Sequence, residues 1–108
     1  MGITKSDLFT QEQNDLAHMA KAFSHPARIA IIQYLVKSRQ CINHDLVEEL
    51  GLAQPTISQH LKELKAIGIL KGTVTGTSMC YCINEEVWEQ VRKAFTGVFE
   101  SYEGMDCC

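Results

Sequence analysis

Apolar residues along this chain recur mostly at helical spacing, with one stretch of strand-like alternation. From Leu52 to Leu70 (LAQPTISQHLKELKAIGIL), Ile57, Leu61 and Leu64 fall at i, i+4 and i+7, a single stripe that must bury against something. The other flank carries Gln54, Thr56, Ser58, Gln59 and Lys62. Pro55 suits a first helical turn, where its missing N–H costs nothing, and Gly68 suits a left-handed stop after the last core leucine. Upstream, Asn43–Leu50 (NHDLVEEL) predicts a shorter helix, with Asn43 as N-cap, Leu46, Val47 and Leu50 as its apolar side and Gly51 as its end. Downstream, Ile69–Thr75 and Ser78–Asn84 are rich in Ile, Val, Thr and Tyr around a Thr75–Gly76–Thr77 turn signal, which predicts a hairpin.

Three more helices flank these elements. Thr10–Gln11–Glu12–Gln13 matches a capping box, and Leu16, Met19, Ala20 and Phe23 give the first helix its stripe. Pro26 opens a second helix, with Ile29, Ile32, Leu35 and Val36 expected to turn inward. The last helix starts after Asn84, a good cap, and runs toward Gly104. Along it Trp88, Val91, Phe95, Val98 and Tyr102 step by 3, 4, 3 and 4, the spacing of a two-helix seam. With no later element to cover it, the seam predicts pairing with a second copy; packing against its own domain is the competing reading.

The two short helices joined by Gly51–Ala53 form a helix-turn-helix unit, whose second member enters the major groove of DNA, and the hairpin behind it reads as a wing. Ser, Thr and Gln can donate or accept at base edges and phosphates, and Lys supplies charge. Candidate DNA contacts are therefore Gln54, Thr56, Ser58, Gln59, His60 and Lys62, with Thr75 and Thr77 in the wing. Taken alone, the same stretch also reads as an ordinary amphipathic surface helix. A two-fold dimer would present two such helices to adjacent grooves, which predicts an inverted-repeat operator with half-sites about one helical turn apart.

Composition narrows the class. At 108 residues, 45% hydrophobic and 21% charged, the chain is expected to form one small domain, with a core marginal enough that dimer burial helps. No apolar run approaches membrane-spanning length and MGITKSDLFT does not read as a signal peptide, so a cytoplasmic protein with no membrane partner is expected. Five cysteines is an odd number, and in a reducing compartment they read as thiols or metal ligands rather than a disulfide frame. A net charge of −3 is awkward for a DNA binder. Its distribution helps: residues 54–80 carry Lys62, Lys65 and Lys71 against Glu63, a net of +2, while residues 84–108 carry Arg92 and Lys93 against six acids, a net of −4. Arg28 and Lys21 are further candidates for the DNA face.

These residues resemble the ArsR/SmtB family of winged-helix repressors. The likeness lies in His25–Pro26–Ala27–Arg28 before an Ile-rich helix, in Leu52–Leu64 (LAQPTISQHLKEL), and in Gly68–Ile69–Leu70; it runs from about Leu16 to Tyr102. The resemblance implies a dimeric, cytoplasmic DNA-binding protein, usually a repressor, that releases its operator when a thiophilic or other metal ion binds. The expected architecture is mostly α with a small β-hairpin wing, a dimeric winged helix-turn-helix of five helices. Within a single domain over 1–108, dimerisation helices span 10–24 and 85–103, the helix-turn-helix 43–67, the wing 69–84 and a Cys-bearing tail 104–108. The dimer interface is expected at Leu16, Met19, Trp88, Val91, Phe95, Val98 and Tyr102. His25 and His60 match family positions that are structural or contact phosphate, and His18 and His44 are expected to be solvated.

Cysteine supplies the candidate sensor chemistry. Cys107 and Cys108 are adjacent, and two neighbouring thiolates can both reach one large soft ion. Trivalent arsenic or antimony fits such a pocket, no obligatory cofactor is expected, and within the family vicinal cysteines near the end of the last helix resemble arsenic-type sensors. A terminal Cys–Cys also reads as a loose tail. Cys80 and Cys82 form a second candidate: strand alternation puts both on one face, with Cα atoms about 6.6 Å apart from two strand rises. A small buried hydrophobe is the competing reading for each. Cys41 lies where arsenic-sensing relatives carry a cysteine cluster, but Ile42, His44 and Val47 occupy the corresponding positions and only a Cys41/His44 pairing remains. The family's carboxylate–histidine site across the paired last helices also fails, since Glu85 could fill one slot but Val87, Val98 and Ser101 hold the others. Cysteines acting as a redox or sulfide sensor, or no effector at all, remain alternatives on the same DNA-binding fold. A thiol enzyme or metal carrier is a different class. It is disfavoured because the terminal pair follows a helix C-terminus beside Asp106 and near Glu103, which opposes thiolate formation, and no CxxC, nucleotide loop or Ser/His/Asp set is present.

Overall fold

Thr10 opens the first helix by a capping box: its hydroxyl accepts from the Gln13 N–H at 3.1 Å while the Gln13 side chain accepts from the Thr10 N–H at 3.0 Å. The computed structural model describes residues 8–38, 46–75 and 78–106. Helix α1 (Gln11–Ala20) runs into a 3-10 turn (Lys21–Phe23), followed by α2 (Pro26–Ser38), α3 (Leu46–Leu50), α4 (Gln54–Ile67), β1 (Leu70–Thr75), β2 (Ser78–Ile83) and α5 (Glu85–Glu100). Among the described residues this makes a winged helix-turn-helix of five helices and one antiparallel hairpin. The expected N-cap Asn43 lies outside the described residues, as do Cys41 and His44. No helix among the described residues is long and apolar enough to cross a membrane.

The core gathers Ala22 from the 3-10 turn, Ile31, Ile32 and Leu35 from α2, Leu46 from α3, Ile57, Leu61 and Leu64 from α4, Ile69 and Leu70 from the start of the wing, and Val91 from α5. Burying each Leu or Ile contributes roughly 1.5–3 kcal/mol, and the α4 stripe is the one the spacing predicted. Gly51 (φ +69) ends α3 and Gly68 (φ +102) ends α4, both left-handed, and the Gly68 N–H donates to the Leu64 and Lys65 carbonyls at 3.1 and 3.0 Å. Asn84 caps α5 through its side-chain oxygen, which accepts from the Val87 N–H at 3.3 Å.

Helix α2 corrects the expected phase. Ile29 and Val36 are exposed, at 38% and 48%, whereas Ile31, Ile32 and Leu35 are buried. The true stripe is Arg28, Ile31, Ile32 and Leu35, at i, i+3, i+4 and i+7. The helix is apolar almost all round, so hydrophobic spacing leaves its rotation open, and an arginine in the first slot of the inner face sets it. Helix α5 is also shorter than expected: it stops at Glu100 with Ser101 as C-cap, so Tyr102 and Gly104 lie beyond it. Val91 is buried in the core, and Trp88, Phe95 and Met19 pack half-buried against the same core. Trp88, Val91 and Phe95 of the expected seam thus touch the core of their own chain. Val98, Phe99, Tyr102 and Met105 are left exposed, and no residue of α1 is fully buried.

Candidate nucleic-acid interface

The unburied flank of α4 is made by the same periodicity that buries Ile57, Leu61 and Leu64. Gln54, Thr56, Gln59 and Lys62 are exposed and Ser58 is half-buried. Lys65, which the sequence offered only as net charge, is exposed on the same helix. The Gln54 amide donates to the Ser58 hydroxyl at 3.0 Å and the Gln59 amide to a Glu63 carboxylate oxygen at 2.9 Å, so two of these side chains are already oriented along the helix. Helix α3 braces α4 through buried Leu46 and half-buried Val47 and Leu50.

His60 belongs elsewhere. Its Nδ1 accepts from Arg28 Nε at 3.2 Å, its ring centroid lies 4.7 Å from that of His25, and it is half-buried on the flank toward α2 rather than on the open one. Arg28 is likewise engaged inside the molecule rather than on the open flank of α4. Its Nη1 donates to the Lys21 carbonyl at 2.7 Å, its Nη2 pairs with Glu63, and the side chain is only 13% exposed. The Lys21 carbonyl sits at the end of a helical turn, where partial negative charge favours a cation. His25 precedes α2, and its Nδ1 accepts from the Ala27 N–H at 3.0 Å, a cap that covers one of the orphan donors of that helix. The signal for these roles was present in the His25–Pro26–Ala27–Arg28 run, but which helix Arg28 would meet is a tertiary fact.

Burial, with the nearby His25 and Arg28, holds the His60 pKa below its ordinary 6.5. The unfolded chain then binds the proton more tightly than the folded one, so stability is fully present above about pH 6.5 and is lost as pH falls toward the lowered folded value. Denaturant midpoints taken from about pH 7.5 to about pH 5 should fall on the acid side, and His60→Gln, which keeps an acceptor for Arg28, should flatten that limb relative to wild type. Equal slopes in the two proteins would contradict the assignment.

In the wing, Leu70 pairs with Ile83, Lys71 with Cys82, Gly72 with Tyr81 and Thr73 with Cys80. Leu70 is buried and Tyr81 and Ile83 pack on the core, so alternation sends Cys80 and Cys82 to the outer face with Lys71 and Thr73. Both cysteines are half-buried there rather than enclosed in the core. Thr75 closes β1; Thr77, Cys107 and Cys108 lie outside the described residues. An apolar groove of about 520 Å³ lies between α5 and the segment from the end of α1 through the 3-10 turn, lined by Ala20, Phe23, Trp88, Val91, Arg92 and Phe95.

Residues 25–71 match the family described as "Bacterial regulatory protein, arsR family". The chain is 43% identical over 63 residues to the HTH-type transcriptional repressor SmtB of Mycobacterium tuberculosis, an alignment covering 58% of this chain and 46% of that protein. It thus spans about half the length of that relative. It is 35% identical over 77 residues to an uncharacterized HTH-type transcriptional regulator of Methanocaldococcus jannaschii, covering 70% of this chain and 86% of that one. Among solved structures, the transcriptional repressor BigR from Xylella fastidiosa superposes with a TM-score of 0.63 at 28% identity, over 90% of this chain and 97% of that one.

Proposed function

We propose that this chain, which belongs to the ArsR/SmtB family of winged helix-turn-helix regulators, is a sequence-specific transcriptional repressor that binds an inverted-repeat operator as a homodimer and is released by a thiophilic effector of the trivalent arsenic or antimony type. The observation that carries the DNA reading is the exposed polar flank of α4 over its buried stripe, with Gln54, Thr56, Ser58, Gln59 and Lys62 offering donors, acceptors and charge to a groove. Thr75 and Thr77 of the wing are assigned to the adjacent backbone.

The dimer reading rests on apolar surface with no cover in one protomer. Phe99, Tyr102 and Met105 are 74%, 68% and 71% exposed, Val98 stands beside them, and the apolar groove between α1 and α5 continues this face. Surface of this kind marks an interface. Leu16, Met19, Trp88, Val91, Phe95, Val98 and Tyr102 are then the proposed interface, and exposed Phe99 joins them although the seam spacing skipped it.

For the effector, soft thiolates select soft ions, and Cys107 with Cys108 supplies two neighbouring sulfurs. Coordination that draws the tail against the wing or the partner copy would favour one dimer arrangement over another and so change the spacing of the two α4 helices, which requires different effector affinity for the two arrangements. Gel-shift titration on the DNA upstream of the protein's own gene, with arsenite, antimonite, cadmium, zinc and peroxide side by side, tests this. Arsenite should release wild type, while Cys107→Ser/Cys108→Ser should bind the operator as before and stay bound. Unchanged release in that variant would overturn the tail assignment and move the site to Cys80 and Cys82, and release by peroxide alone would replace metal binding with thiol oxidation.

A further inference from the structure

Gln59 stands exposed on the polar flank of α4, yet an isolated i, i+4 contact on a helix surface is worth only about 0.2–0.5 kcal/mol, too little to hold an amide in one orientation. Its partner here is not an ordinary surface carboxylate. Glu63 places one oxygen on the Gln59 amide and the other on Arg28. Arg28 in turn has all three of its nitrogen positions committed, to Glu63, to the Lys21 carbonyl and to His60 Nδ1. With its guanidinium shielded and held on its other two nitrogens by Lys21 and His60, Arg28 gives Glu63 one position instead of many. A carboxylate only accepts, so the atom of Gln59 that meets Glu63 must be its nitrogen. One amide N–H is thereby tied back along the helix, and the carbonyl oxygen and the second N–H remain for the groove. That donor–acceptor pair is what adenine takes at N7 and N6.

We infer that Arg28 and Glu63 are positioning residues for operator specificity: they hold Gln59 so that it reads one adenine, without touching DNA themselves. This rests on the DNA reading proposed above, and the test separates the two. Duplexes preferred by the full-length protein are selected from a random pool, and binding of each variant is then measured on the selected duplex and on single-base-pair substitutions of it. Deleting a carboxylate near the duplex strengthens binding to every sequence, so the readout is the ratio between sequences. Gln59→Ala should abolish preference at one A·T pair, a loss of about 5- to 150-fold in discrimination. Glu63→Ala should lose preference at that same pair and nowhere else, the double variant should be no worse than Gln59→Ala alone, and Arg28→Lys, which keeps the charge but not the fork, should lose part of it. A Glu63→Ala protein that keeps the wild-type ratio at that pair would overturn the inference, as would one that loses discrimination evenly at all positions. A wild type with no sequence preference at all would overturn the DNA reading itself. Glu63→Gln, close in shape, serves if the alanine variant fails to fold, and should lose the same ratio through a weakened hold from Arg28.

Discussion

Leu64→Ala should destabilise the protein by about 2–5 kcal/mol. Leu64 is fully buried at the centre of the cluster that joins α2, α4 and the wing, and truncation removes its transfer free energy and leaves a cavity that surrounding helices fill only partly. A domain of this size has a total stability of only about 5–15 kcal/mol. The melting midpoint should fall by roughly 4–8 °C for each kcal/mol lost, and operator binding should fall with it because α4 loses its seat. The control is Gln59→Ala on the same helix: an exposed substitution of this kind stays within about 0.5 kcal/mol of wild type. Thermal and denaturant unfolding followed by circular dichroism checks both. A Leu64→Ala midpoint equal to that of Gln59→Ala would mean α4 does not dock as described.

Val98→Asp should leave the protomer folded and separate the dimer. Val98 is 47% exposed in a single chain, so an aspartate there meets water, whereas in a paired apolar seam it would be a buried, unpartnered charge. Two recognition helices on one rigid body gain from effective concentration, and their uncoupling should weaken operator binding by about 10²- to 10⁴-fold. Light scattering with size exclusion reads the mass, and fluorescence anisotropy on a full inverted repeat reads the affinity. Affinity for an isolated half-site should be nearly unchanged. A Val98→Asp protein that still elutes as a dimer with wild-type affinity would place the interface elsewhere.

The elements that the chain announced most clearly are those whose signals are local. Thr10 and Gln13 cap α1 by contacts three residues apart, Asn84 caps α5, Gly68 takes the left-handed stop, and the α4 stripe at Ile57, Leu61 and Leu64 is buried as its spacing demanded. What could not be read depended on distant partners. Periodicity left α2 free to rotate because Ile29, Ile31, Ile32, Leu35 and Val36 surround it, and the residue that sets its phase, Arg28, looks like a surface cation until Glu63 and His60 are beside it. The same network turns His60 toward Arg28 and His25 rather than to the open flank of α4. On α5, 3–4 spacing fits an inter-chain seam and an intra-domain face equally well, and only the folded chain divides buried Val91 from exposed Val98. Strand alternation put Cys80 and Cys82 on one face, but which face needed Leu70 and Ile83 in register on the core side.

Hydroxyl-radical footprinting of the purified protein on a selected duplex, with the number of chains per duplex measured alongside, joins the exposed flank of α4 to the pairing of two copies. Two symmetric protected patches, about 34–36 Å apart from centre to centre, should appear with two chains bound. A single patch with one chain bound, or protection spread equally over random sequence, would contradict it.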